Sequence, residues 1–232
     1  YYEDQNRVSI PLADMPESMQ DAVVAAENQT FWTDKGIDPK GIARALFSNA
    51  RGNDRQGAST ITQQYVKILY LSSEKTLTRK LKEAVLAVKL EQTLDKREIL
   101  TRYLNEIYFG RGAYGVEAAS RAYFGVSVKD LTLPQAAYLA GLIRAPERAD
   151  ATRDPKEATR RRRTVLHAMV EQGYISKAKE QAADEMPWNT APTSDKGLPQ
   201  EVTILERSSE HSDLGDVKYK ELGSQFWVEW VR

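Results

Sequence analysis

Cysteine is absent from the 232 residues. That excludes disulfide frameworks, thiol nucleophiles and cysteine-ligated metals. Histidine is nearly absent: His167 and His211 are the two, too few and too far apart in sequence to build a histidine metal cluster or a Ser-His-Asp triad. Charge of one sign is lacking too, since Lys+Arg is 33 and Asp+Glu is 33, a net charge of zero. A generally basic nucleic-acid binder is therefore not expected. No apolar run reaches the ~18 residues that a membrane-crossing helix needs. What is present, 41% hydrophobic and 28% charged residues, is enough apolar material for a folded core.

Helix punctuation is dense up to about residue 185. Pro16 opens a periodic apolar run through Ala26, and Asp38-Pro39 opens another towards Asn49. Thr60-x-x-Gln63, Asp95-x-x-Glu98 and Thr132-x-x-Gln135 have capping-box form. Thr76 precedes apolar residues at helical spacing from Leu77 to Leu94. Asp154-Pro155-x-Glu157 opens a helix that Gly173 closes, and Ser176 begins one more. Eight or nine helices and few strands before residue 190 are predicted. Character changes at Pro187: residues 188–200 carry linker chemistry, with strands expected at Val202–Leu205 and Phe226–Val231. The expected division is one helical domain over 1–187 and, over 188–232, a linker and the start of a further region.

Three patterns carry less than they suggest. Gly110-x-Gly112-x-x-Gly115 has dinucleotide-fingerprint spacing but follows a helix instead of a strand, so a turn between helices is predicted. Ser72-x-x-Lys75 and Ser176-x-x-Lys179 have the SxxK spacing without companion motifs, and read as helix starts. Arg160–Arg163 reads either as a solvated face capped by Asp154 and Glu157 or as a phosphate site; the first is favoured because charge runs usually go that way.

Other stretches are richer. Gly57 to Lys67 leads a polar loop into a hydroxyl-rich helix start, with Gln63, Gln64 and Lys67 three or four apart on one face. A helix N-terminus attracts anions, and Lys67 adds a point charge. Arg79-Lys80-x-x-Glu83 is a second cationic helix start, whose Glu83 either pairs with Arg79 or holds a divalent cation against phosphate. Glu27 ends a helix beside Asn28, Phe31 and Trp32; it reads as an exposed helix-end glutamate or as a general base.

Together these pieces resemble the family 51 peptidoglycan glycosyltransferases, the glycan-polymerising domain of class A penicillin-binding proteins. Glu27-Asn28-x-x-Phe31-x-x-Asp34-x-Gly36 resembles the family's EDxxFxxHxG, and Gly57-x-Ser59-Thr60-Ile61-Thr62-Gln63-Gln64-x-x-Lys67 matches GxSTITQQxxK. Arg79-Lys80-x-x-Glu83 through Ala87 to Leu90-Glu91, then Lys96-x-Glu98-Ile99-Leu100-x-x-Tyr103-Leu104-Asn105, follow in the family's order, and Ala158-x-x-Arg161-Arg162 resembles its last arginine motif. The resemblance covers residues 8–185. Asn28 stands where the family has Asp, Asp34 where it has His, and Ile68 where it has Asn. Asp34 is a candidate to return a carboxylate to the neighbourhood of Glu27.

The resemblance implies a mainly α, lysozyme-like fold with a large lobe and a small membrane-proximal jaw lobe, followed by a short β-containing tail. It implies polymerisation of lipid II with inversion and release of undecaprenyl pyrophosphate. Glu27 is then the general base. Glu83, with Lys67, Arg79 and Lys80, stabilises the leaving group and binds a divalent cation, expected to be Mg2+. Phe31, Arg44, Ser59, Thr60, Gln63, Gln64, Asn105, Arg161 and Arg162 are the further substrate-binding candidates. The implied partners are lipid II, the growing glycan chain, the membrane surface and the cell-wall synthesis machinery, with no nucleic acid. Ile68-Leu69-Tyr70-Leu71 is a candidate to touch the bilayer. The implied location is the extracytoplasmic face of the bacterial cytoplasmic membrane, with an N-terminal transmembrane anchor and a transpeptidase domain outside this chain. A muramidase-like hydrolase is disfavoured, because hydrolysing glycan leaves no pyrophosphate to neutralise. A binding module with a dead site is the third reading, weakened by the intact Glu27 and Glu83.

Overall fold

A computed structural model describes residues 9–38, 59–70, 77–191 and 202–206 of the chain. It is mainly helical. In chain order the helices are α1 (Glu17–Glu27), α2 (Ile61–Tyr70), α3 (Leu77–Thr93), α4 (Lys96–Glu106), α5 (Val116–Phe124), α6 (Leu133–Leu142), α7 (Pro155–Glu171) and α8 (Lys177–Asp184). Two short strands, β1 (Trp188–Ala191) and β2 (Val202–Leu205), pair in parallel with Trp188 opposite Val202. The expected helix after Pro39 and the expected strand at Phe226–Val231 lie outside the described residues.

Apart from α5, which the sequence reading did not list, the described helices start close to where the sequence put them. Thr60 Oγ1 accepts from the Gln63 backbone N–H while Gln63 Oε1 accepts from the Thr60 N–H, both at 3.1 Å. This reciprocal cap satisfies two donors that a helix start otherwise leaves without partners. Asp95 and Asp154 accept from Glu98 and Glu157 N–H, and Ser176 from Lys179 N–H. The Gly110–Gly115 segment is the predicted turn between helices, closed by a Tyr108–Tyr114 bridge.

The described residues fall into two compact units, 9–26 with 104–206, and 27–103. In the first, α6 is buried on every side from Pro134 to Leu142, which fits its nearly uninterrupted apolar composition. It packs on α7, with Gly141 letting Arg161 approach. Tyr123, Phe124, Tyr138, Leu139, Leu166 and Met169 fill the surrounding core. Residues 188–191, expected to begin a linker, are instead a strand. The reason is Trp188: its ring meets Tyr138 edge-on at 5.1 Å and carries the Arg162 guanidinium at 4.2 Å. In the second unit α2 packs on α3, and Phe31, Ile61, Tyr65, Val66, Ala87, Ile99 and Leu100 form the core.

Gly115 precedes α5 at φ 85°, and a Cβ there would lie 2.5 Å from the Asn105 carbonyl oxygen. Gly115→Ala is expected to lower stability by about 2–3 kcal/mol, combining the left-handed backbone with a contact that cannot yield. Urea denaturation of the variant beside the parent checks this.

Candidate active site in the Glu27–Tyr103 unit

Glu27 is the last residue of α1 and is 6% exposed. The side-chain amide of Gln64, one turn into α2, donates to Glu27 Oε2 at 2.8 Å. The same amide's oxygen accepts from the Tyr103 hydroxyl of α4 at 2.9 Å. Gln64 thus reaches Glu27 itself, where the sequence reading had it hold substrate.

Asn28 follows Glu27 and sits between two elements. Its amide donates to Asp34 Oδ2 at 2.9 Å, and its oxygen accepts from the Ile61 N–H at 3.1 Å. Asp34 therefore does stand beside position 28. Its other oxygen pairs with Lys96 Nζ at 2.8 Å, Lys96 also pairs with Glu91 at 2.6 Å, and Glu91 accepts from the Thr62 hydroxyl. The Lys96 ammonium lies 4.7 Å over the Phe31 ring. One lysine shared by two carboxylates ties the segment after Glu27 to the beginning of α2 and the end of α3. Lys96, Glu91 and Thr62 stand in the quoted motifs but were not singled out as site residues, because lysines and glutamates on helices usually face water and a lone threonine carries little signal.

A cationic group gathers at the start of α3. Glu83 is 2% exposed, with Lys80 Nζ at 2.9 Å from one oxygen and Arg79 Nε at 3.3 Å from the other. Lys80 also bonds the Ser59 hydroxyl at 2.7 Å. Lys67 is exposed on α2. Among the described residues no cluster of three or more Asp, Glu or His side chains forms a metal cage. Glu83 Oε1 is buried and accepts no hydrogen bond. One such carboxylate fits a Mg2+ ion that arrives with phosphate oxygens, the way this ion usually binds.

Several of the expected substrate-binding residues have partners within the protein. Thr60 and Gln63 are 1% and 3% exposed and form the cap of α2, with the Thr60 hydroxyl also donating to the Gly36 carbonyl at 2.7 Å. Phe31 is fully buried in the core. Asn105 belongs to the other unit, where its amide both donates to and accepts from the Ile10 backbone at 2.9 Å. Arg162 is 1% exposed and donates to the Asp184 and Met186 carbonyls beneath Trp188. A helix cap, the core or a backbone group takes each of these side chains. Arg160 and Arg161 pair with Glu157, whose carboxyl is held down to about 2 by the Arg160 hydrogen bonds and, after the opposing effect of burial, by Arg161. Arg163 pairs with Asp184. The solvated-face reading of this run therefore holds for Arg160 and Arg163. Arg44 lies outside the described residues, as does Leu71; Ile68, Leu69 and Tyr70 are half-buried at the end of α2.

Comparison with known proteins gives a consistent picture. A family profile described as Transglycosylase matches residues 1–170. Penicillin-binding protein 1A of Aquifex aeolicus (strain VF5) is 42% identical over 217 residues, 93% of this chain and 30% of that protein. Penicillin-binding protein 1A of Haemophilus influenzae is 47% identical over 185 residues, 79% of this chain and 22% of that protein. The crystal structure of the Haemophilus influenzae protein superposes with a TM-score of 0.47 and 27% identity, covering 78% of this chain and 18% of that one. The chain thus spans less than a third of the length of these relatives.

Proposed function

We propose, for a chain that belongs to the transglycosylase family, that its activity is the polymerisation of lipid II into glycan strands with inversion and release of undecaprenyl pyrophosphate. The observation that carries the reading is the pairing, within one unit, of a Gln64-held Glu27 with a buried Glu83 flanked by Arg79 and Lys80. A polymerase that displaces a pyrophosphate needs both parts: a base for the attacking hydroxyl, and cations for the leaving group.

In this mechanism Glu27 takes the proton from the 4-hydroxyl of the acceptor sugar as that oxygen attacks the donor anomeric carbon. The bond to the pyrophosphate oxygen breaks with inversion through an oxocarbenium-like transition state. Lys67, Arg79 and Lys80 receive the charge that develops on the departing pyrophosphate, with Ser59 orienting Lys80. Glu83 keeps Arg79 and Lys80 directed at one place. It would also hold a divalent cation there, whose chemistry would be charge neutralisation. Lipid II and the growing strand are the partners this reading requires. The substrate's lipid places the reaction at the extracytoplasmic face of the bacterial cytoplasmic membrane, beside other cell-wall enzymes. No helix among the described residues is long and apolar enough to cross a membrane. The half-buried end of α2 is proposed to meet the membrane surface.

The test is direct. Incubated with labelled lipid II and Mg2+ in detergent, the chain is expected to yield long glycan that a muramidase then digests. Conversion of finished glycan to short fragments, with none made from lipid II, would replace this reading by the hydrolase.

A further inference from the structure

We infer that Tyr103 is a positioning residue for Glu27, acting through the side-chain amide of Gln64; the catalytic consequence rests on the reading of Glu27 as the base. Tyr103 is fully buried on α4. Its hydroxyl lies 2.9 Å from Gln64 Oε1, and Gln64 Nε2 lies 2.8 Å from Glu27 Oε2.

The chemistry of the three groups fixes the direction of the chain. An ionised carboxylate can only accept, so it requires the amide's N–H2 side. A glutamine amide has two nearly isosteric orientations, and rotating it would turn Oε1 towards the carboxylate, oxygen against oxygen. The carboxylate thus sets the orientation, and the Tyr103 hydroxyl, which can donate or accept, donates to the Oε1 that this leaves facing it and anchors the far side of the amide. The side chain that donates to Glu27 is therefore held in turn by Tyr103. Hydrogen bonds in series also polarise one another, so the Gln64–Glu27 bond strengthens when Tyr103 donates.

This role separates Tyr103 from the other buried aromatics. Phenylalanine at 103 keeps the ring and its packing and removes only the donor. With the donor gone, the Gln64 amide keeps its orientation but loses its second anchor, so its bond to Glu27 is longer and less well fixed.

Two readouts on the whole chain test the inference. The first needs no turnover: the side-chain amide resonances of Gln64, assigned by their loss in Gln64→Met, followed by NMR. In the parent, one amide proton is expected downfield and protected from exchange, as for a donor to a carboxylate. Tyr103→Phe is expected to move it towards the free-amide position. The second is steady-state polymerisation of lipid II, where Tyr103→Phe should lower kcat about three- to tenfold with KM unchanged, the scale of one hydrogen bond. In a Gln64→Met background, adding Tyr103→Phe should change kcat no further.

An unmoved Gln64 resonance in Tyr103→Phe overturns the inference, and so does an equal kcat loss in both backgrounds. A moved resonance in a chain that makes no polymer upholds the hydrogen-bond chain and counts against the polymerase reading. If Tyr103→Phe fails to fold, the parent's Tyr103 hydroxyl proton decides: slow exchange with a through-space contact to the Gln64 side chain upholds the inference, and fast exchange without one overturns it.

Discussion

Glu27→Gln is expected to abolish glycan synthesis while leaving lipid II binding in place. The substitution keeps the size and polarity of the side chain but removes the capacity to accept a proton. A positioned general base contributes about 10²–10⁴-fold, so the loss falls in that range. The Gln64 amide can still donate to the new amide oxygen, so the local packing survives, and the thermal midpoint should change little. The measurement is polymer length and yield from labelled lipid II beside the parent, with binding followed separately. Equal polymer from both would remove Glu27 as the base and leave the activity standing. Loss of binding together with loss of polymer would assign Glu27 to holding the substrate.

The second large effect is on stability and lies in the other unit. Arg111 sits in the turn between α4 and α5 with a left-handed backbone at φ 53°. Its guanidinium makes a two-point bond to Asp150 at 2.7 Å and donates to the Leu205 carbonyl at 2.6 Å and the Ala122 carbonyl at 3.2 Å. It also stacks 4.3 Å over the Tyr123 ring. Both charges are almost wholly buried, at 4% and 1% exposed. Removing one partner of such a pair leaves the other charge without compensation, so Asp150→Ala is expected to cost about 3–5 kcal/mol. Because the same guanidinium holds Leu205, β2 should loosen first, which hydrogen exchange at residues 202–205 would register ahead of α6.

The pair also sets a pH dependence. Burial alone would raise the Asp150 carboxyl, but hydrogen bonds and charge from Arg111, helped by Thr152, outweigh it and hold the group below its ordinary value of 3.8. A carboxyl depressed in the folded state contributes stability that is present above its unfolded value and lost as pH falls through the folded one. The parent should therefore lose part of its stability as pH drops below the ordinary carboxylate range, and Asp150→Ala should lack that part of the acid transition. Urea midpoints across an acid series for the two proteins check the sign. Parallel curves would show that Asp150 is not the group involved.

Local chemistry determined much of this protein from the sequence alone. Thr60 with Gln63, Asp95 with Glu98 and Asp154 with Glu157 announced their helix starts because a cap depends on residues three positions apart. Gly110 to Gly115 announced a turn because what preceded it had helical character. The family motif around Glu27, Gln64 and Glu83 marked the candidate site, since chemistry-bearing side chains at fixed spacing leave a trace in a linear string. What only the tertiary structure decided was direction and partner. A motif names Gln63 and Gln64 alike, yet one caps a helix and the other reaches Glu27. It contains both Asn105 and Tyr103, of which only Asn105 was taken as a substrate contact, yet the first holds the Ile10 backbone and the second holds Gln64. Likewise Arg160 to Arg163 are one run of charge, but Arg162 alone is buried beneath Trp188. Positions adjacent in a helix differ by ~100° in the way they point. Which of them meets the core, a cap or the site depends on elements far away in the chain, and no local pattern contains that information.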